Sequence, residues 1–351
     1  MARRKIFWVI TGCALVMFIF CGEVPSTFAQ AKPAKGFTWK LQSAWPPPEK
    51  IMGYWGAFGQ ASEIARKVKE RTKGELDIKL FPPGALFKEL ETPDALKRGA
   101  IEMACSAGSY HLSILPEVLF EWGLPYGAKT PDVAGKLLMN EEYLKILRKA
   151  YAEKHNVQLL GLSSVSSYNY VTRFPVNTME DLKGKKIRAL GVTAQVVKAH
   201  GATPSMITGA EQYMALQRGT IDGTVYPPYA GITYKIFEVA KFHSWPPIYS
   251  AVTVNHVVNL GAWNKLPKEY QEILQDEVSK MAKYSFEVSG PALEKIATEE
   301  GKKMKAEATF LSDGEYQKFR QAAVPLWEEW GKKSPYCGQL LTIAKGIYGG
   351  K

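Results

Sequence analysis

From Phe37 onward the sequence switches repeatedly between two periods, and this alternation limits the fold more than any other feature. "FTWKLQSAW" alternates apolar and polar residues and then meets "PPP", the pattern of a strand stopped by proline. "YWGAFGQASEIARKVKERTKG" sets Phe58, Ile64, Ala65 and Val68 at helical spacing, with Gly74 just past the end. "ELDIKLF" is again strand-like, "ELETPDALKRGA" a short helix and "IEMACSAG" an apolar strand. Strand, helix, strand, helix, strand predicts a parallel α/β sheet whose strand ends open onto a crevice. A second round follows: "NVQLLGLSSVSS", "KIRALG", "ATPSMI" and "IDGTVYPPY" read as strands, "TAQVVKAHG" and "GAEQYMALQRG" as helices ended by Gly201 and Gly219. From Leu266 to about Ala308 the pattern is helical and is interrupted at Gly290-Pro291, so a kinked helix is expected to brace both parts. The expected lobes are residues 37–165 plus about 251–290, and 166–250 plus about 291–351, with a cleft between them; two lobes suit a chain of this length better than one core.

The first residues concern destination. "MARRK" is basic, "IFWVITGCALVMFIF" is apolar and "STFAQA" ends in small residues, so residues 1–31 read as a cleaved secretory signal peptide. The apolar run is shorter than the roughly 20 residues of a spanning helix. "ITGC", ending at Cys13, offers a lipid-anchored alternative. Cleavage removes Cys13 and Cys21 and leaves Cys105 and Cys337, enough for one disulfide but too few for a disulfide framework or a zinc site. It also removes Arg3, Arg4, Lys5 and Glu23, taking the net charge from +11 to about +9. A basic surface favours anionic partners. No aromatic-plus-basic module accompanies it, so no nucleic acid is expected among them.

The usual catalytic signatures are missing: there is no G-x-G-x-x-G after a strand, no P-loop, no H-E-x-x-H and no G-x-S-x-G. His111, His155, His200, His243 and His256 lie far apart without ligand spacing, so neither metal nor cofactor is expected. An exported two-lobed protein without catalytic motifs is expected to close on a small solute by a hinge. "EDLKGKKIRALG" supplies charge for such a site. Lys186 and Arg188 share one face of its strand, with Ile187 on the other, and periodicity leaves both open. Arg188 lies nearer the carboxyl end, and its planar fork matches a carboxylate where lysine offers a hydrated point charge. The plainer alternative makes Arg188 a structural ion-pair residue.

"DLKGKKIRALG" with Pro175 upstream, "GATPSMITGAEQYMALQRGTIDG", "FPPGALFKELETPDALKRGAIEMA" and "NKLPKEYQEIL" resemble, in the same order, the solute receptors of tripartite ATP-independent periplasmic (TRAP) transporters, DctP type. The resemblance covers nearly the whole chain after the signal peptide. It implies a two-lobe, type II-like periplasmic-binding-protein fold with hinge strands, acting as a periplasmic monomer. Such a receptor delivers an organic acid to a permease of one small and one large membrane subunit. It also implies that Arg188 pairs with the ligand carboxylate.

Three departures narrow the ligand. Many dicarboxylate and sialic-acid receptors of the family carry a second arginine where this chain has Tyr168, and many read "DGxENP" where this one reads "DGTVYPP", putting Tyr226 in place of the asparagine. Members that bind 2-oxo acids through a metal carry an acidic residue where Val225 stands, and valine ligates no metal. Phenols in place of charge and amide suggest a monocarboxylate with an aromatic or hydrophobic body. Trp45, Tyr110, Trp122 and Trp245 are further candidate walls, whereas Trp263, Trp327 and Trp330 look like packing residues. The alternatives are a dicarboxylate or 2-oxo acid receptor of the same family, a binding protein serving a sensor or an ATP-driven importer, and an exported enzyme on the same scaffold.

Overall fold

The computed structural model describes residues 36–209 and 211–349. The signal peptide read at 1–31 and the anchor alternative at Cys13 lie outside these residues. The first round of alternation folds as read. β1 (Phe37–Ser43) runs parallel to β4 (Leu76–Phe81) and β5 (Met103–Ser106), while β2 (Lys50–Ile51) and β3 (Tyr54–Trp55) form a small separate hairpin after the prolines. The second round places β7 (Lys186–Arg188) between β8 (Thr203–Ser205) and β9 (Gly223–Tyr226), all parallel. Gly223 is required there: a Cβ on it would sit 2.5 Å from Thr172 Cγ2 and 3.0 Å from Ile187 Cδ1, so only glycine lets β9 lie flat between its neighbours.

Two long antiparallel strands join these halves. β6 (Val157–Thr172) and β11 (Tyr249–Asn259) pair along most of their length; β11 also pairs β5, and the end of β6 pairs β9. The path runs β4-β1-β5-β11-β6-β9-β7-β8, and β10 (Phe242–Trp245) joins the end of β6 to β12 (Glu307–Phe310). The crossing strands are irregular where the halves meet. Between the pairs Val252↔Ser166 and Thr253↔Ser164, β6 advances two residues while β11 advances one, which makes Val165 the extra residue of a bulge. The bulge resets the alternation, so Val165 and Tyr168, three apart, are both half-buried while Ser166 and Ser167 between them are buried.

Helices cover both faces. In the first half, α1 (Ala57–Arg71) and α9 (Lys268–Tyr284) pack Ile64, Val68, Leu274 and Val278 against Trp39 and Leu41. On the opposite face, α2 (Thr92–Lys97), α3 (Pro131–Leu138) and α4 (Glu141–His155) bury Leu96, Leu137, Leu147 and Tyr151. Asn140 caps α4 by accepting the Tyr143 N–H, and Asn156 ends it in the left-handed region. In the second half, α5 (Val192–Ala199) and α6 (Gln212–Arg218) are followed by the short α7 (Ala230–Thr233), and their cores centre on Ile187, Val196 and Val225, and on Leu216, Ile221 and Phe237.

After α8 (Leu260–Lys265), the expected brace is continuous from α9 through a π-helical turn (Ser285–Ser289) into α10 (Gly290–Lys303). The wide turn precedes Pro291, whose ring and missing N–H rule out a regular ladder there. α9 packs on α1 and β6, and α10 on α7, β12 and β6, so the helix runs along both halves. The C-terminal stretch is shared between the halves: β12 extends the second part of the sheet, whereas α11 (Asp313–Gly331) touches α5 and leads to α12 (Pro335–Tyr348), which packs on α3 and α4. Trp327 and Trp330 are buried in the core with α12, as their helical setting suggested. Cys105 and Cys337 are both free and buried, on opposite faces of the first half, so they form no disulfide.

Candidate functional site

The parallel strands end together at the crevice side: β1 at Ser43, β5 at Ser106, β7 at Arg188, β8 at Ser205 and β9 at Tyr226. Residues at or just beyond those ends form the candidate site, where ligands of open α/β sheets sit. Arg188 is its centre and is only 6% exposed. Its Nε donates to the carbonyl of Ile207, just past β8, at 3.1 Å, and its guanidinium carbon lies 5.2 Å from the centre of the Tyr226 ring. Among the described residues it joins no ion pair, so a buried cation stands without an internal carboxylate. No described carboxylate pairs with it as the plainer alternative would require, and the unpaired charge is costly unless an anion arrives.

The neighbouring cations do other work. Lys183 pairs with Glu180 at 2.8 Å, Lys185 lies 4.8 Å over the Phe174 ring, and Lys186, on the same strand face as Arg188 but at its amino end, is exposed.

An aromatic cluster extends from Arg188. Tyr226 stacks on Tyr168 with ring centres 6.2 Å apart and planes 24° from parallel. Tyr168 meets Trp122 edge-on at 5.4 Å, and Trp122 is held by its Nε1–H donating to the Thr253 carbonyl at 3.1 Å. Burial pushes the Tyr168 and Tyr226 phenols up, and the Arg188 charge pulls each back part of the way. Both remain neutral donors at neutral pH. Tyr110, in the short turn after β5, is half-buried, and burial with nearby Glu89 raises its phenol too.

Two candidates lie apart from this cluster in different ways. Trp45, two residues past β1, lines a cavity that adjoins it through Tyr229 and Tyr234, and Tyr234 stands edge-on to Tyr226 at 6.2 Å. Trp245 does not join it. β10 pairs Phe242 with Thr172 and His243 with Val171 of β6, and beyond that contact Trp245 pairs with Phe310 of β12. Its indole N–H donates to His243 Nδ1 at 2.7 Å, and it lines a separate groove with Glu294 and Phe310. Sequence reasoning missed Tyr229, Tyr234 and Val165. The signal for the tyrosines was present in "YPPYAGITY"; nothing signalled the bulge that turns Val165 inward. Val225 is buried in the core beside Tyr170, facing away from Tyr226 as alternation requires.

The fold gathers two histidines that sequence spacing separates: His111 and His155 meet edge-on with ring centres 5.1 Å apart. Both are buried. Among the described residues no group of three or more His, Cys, Asp or Glu side chains has a metal-binding arrangement.

Residues 57–334 match the family model described as bacterial extracellular solute-binding protein, family 7, DctP. A monocarboxylate 2-oxoacid-binding periplasmic protein of Nostoc sp. is 28% identical over 78% of this chain and 74% of its own length. A 2,3-diketo-L-gulonate-binding periplasmic protein of Escherichia coli is 30% identical over 70% of this chain and 76% of its own. Among solved structures, a TRAP periplasmic solute-binding protein of Rhodobacter sphaeroides in an apo open form superposes with a TM-score of 0.73 at 25% identity, covering 89% of this chain and 97% of its own.

Proposed function

The chain belongs to the DctP family of TRAP periplasmic solute-binding proteins, with its two-lobe α/β fold, and from that premise we propose that it captures an organic monocarboxylate with an aromatic or hydrophobic body. The observation that carries this reading is Arg188, buried, unpaired by any described carboxylate and set over Tyr226, which leads through Tyr168 to Trp122 in one aromatic cluster. The guanidinium fork holds the carboxylate, and the phenols and indole cover the body. β6 and β11 serve as hinge strands, and the α9–α10 helix guides closure. The receptor works in the periplasm as a monomer and delivers the acid, chemically unchanged, to a permease of one small and one large membrane subunit. A thermal-shift screen of organic acids tests the reading, because a ligand of the folded state raises its apparent stability. Stabilisation by monocarboxylates supports it; a response confined to uncharged solutes contradicts it.

Similarity to the Nostoc protein favours a second reading, a 2-oxo acid receptor. The two differ over metal. The Val225 side chain lacks a ligating atom and is packed in the core, so affinity is expected to be the same with and without EDTA in calorimetric titration. A large loss on chelation would favour the second reading and overturn the metal-free one.

A further inference from the structure

A cavity of about 270 Å³ opens beside the aromatic cluster, between the segment that follows β1 and helix α7. Trp45, Pro47 and Ile51 form one wall, Tyr229 and Tyr234 the other, and the bulged Val165 of β6 lies between. It adjoins the site: Tyr234 stands edge-on to Tyr226, and Tyr226 lies under the Arg188 guanidinium.

The wall after β1 is built in. A Cβ on Gly59 of α1 would overlap the Glu49 carbonyl, so the strap at Glu49 lies flush on the helix, and the Gly56 N–H ties back to the same carbonyl at 2.8 Å. The Lys50–Trp55 hairpin then turns tightly through Met52 and Gly53, both at positive φ. A preformed wall spares a ligand the cost of ordering it. The lining is mainly apolar, and its cation, Lys50, has its ammonium 4.5 Å over the Trp55 ring.

Size sets the occupant. An apolar cavity of roughly 150 Å³ holds benzene, so this one has room for a body of one to two rings. We propose that the cavity is the subsite for the ligand's body, and that the receptor selects monocarboxylates bearing a one- or two-ring apolar group over three- or four-carbon acids. This rests on Arg188 as the carboxylate anchor.

The test is calorimetry with propanoate, 3-phenylpropanoate and 3-(2-naphthyl)propanoate, which share one carboxylate and differ in body. The wild type is expected to bind the aryl acids at least tenfold more tightly than propanoate. Thr233→Phe, which fills the cavity from an exposed position on α7, and Trp45→Ala, which removes a wall, are each expected to erase most of that preference; Thr233→Phe should do so while leaving propanoate affinity and the melting temperature nearly unchanged. Equal affinities across the series, no binding of any of the three, or a preference that survives both substitutions would overturn the subsite. If Arg188→Ala binds all three as the wild type does, the anchor itself is wrong, and with it the reading on which the subsite rests.

Discussion

Arg188→Ala is expected to weaken carboxylate binding by about 3–5 kcal/mol, the cost of leaving one partner of a buried ion pair uncompensated, or roughly two to three and a half orders of magnitude in Kd. The fold should hardly notice. Among the described residues Arg188 contributes one hydrogen bond, to the Ile207 carbonyl, and no ion pair, so removing a buried unpaired cation leaves the melting temperature near that of the wild type. Arg188→Lys keeps the charge but loses the two-pronged donor, and should recover only part of the affinity. Titration calorimetry with circular dichroism separates the outcomes. Wild-type affinity in the alanine variant would return Arg188 to a structural role.

Stability is expected to peak near pH 6.5 and to fall on both sides, steeply in acid. Burial pushes His111 down to about 3 and His200, His243 and His256 down to about 4, against about 6.5 in the unfolded chain. As pH drops through this window the unfolded chain takes up protons that the fold refuses, so stability falls with pH. Each histidine is worth about 3 kcal/mol at full effect, and four together approach the 5–15 kcal/mol that holds a typical domain. Marked loss of stability is therefore expected in acid, greatest near and below pH 4.

Two carboxyls act in the other direction. Burial raises Glu121 to about 7 and Glu294 to about 8. Tyr151 donates to Glu121 at 2.5 Å, but Oε1 of Glu294 has no partner among the described residues. Between the unfolded value near 4.5 and these raised values the fold binds more protons than the unfolded chain, so stability falls as pH rises. Below pH 6.5 the four histidines outweigh this. From pH 6.5 to 8 the carboxyls act alone, with a decline of about 2 kcal/mol. Urea unfolding at stepped pH reads the profile, and Glu294→Gln should flatten its alkaline side. A profile flat from pH 4 to 6 would contradict the buried-neutral histidines.

Local pattern carried much of the fold. The strands β1, β4, β5, β7 and β9 and the helices α1, α5 and α6 were legible because each pairs a clear period with a glycine or proline stop. β11 was not, because all eleven of its residues are buried and a strand covered on both faces shows no alternation. Arg188 could be separated from Lys186 by residue type and by position on the strand, and their settings differ accordingly: one is buried at the carboxyl end, the other exposed at the amino end. Trp245 could not be judged alone, since its surroundings depend on how β10 pairs with β6 and β12. The Val165 bulge depends likewise on a partner strand far away in sequence. Tyr168 and Tyr226 were singled out from different motifs, and they come within stacking range only because β9 pairs with the end of β6, far away in sequence.

The account claims that this receptor recognises a carboxylate through one buried arginine, and a matched pair of ligands tests that most directly. Calorimetric titration with 3-phenylpropanoate and with its primary amide compares the same body with and without the charge. The account predicts that the acid binds at least a hundredfold more tightly than the amide in the wild type, and that Arg188→Ala removes the difference. Equal binding of acid and amide by the wild type would contradict it.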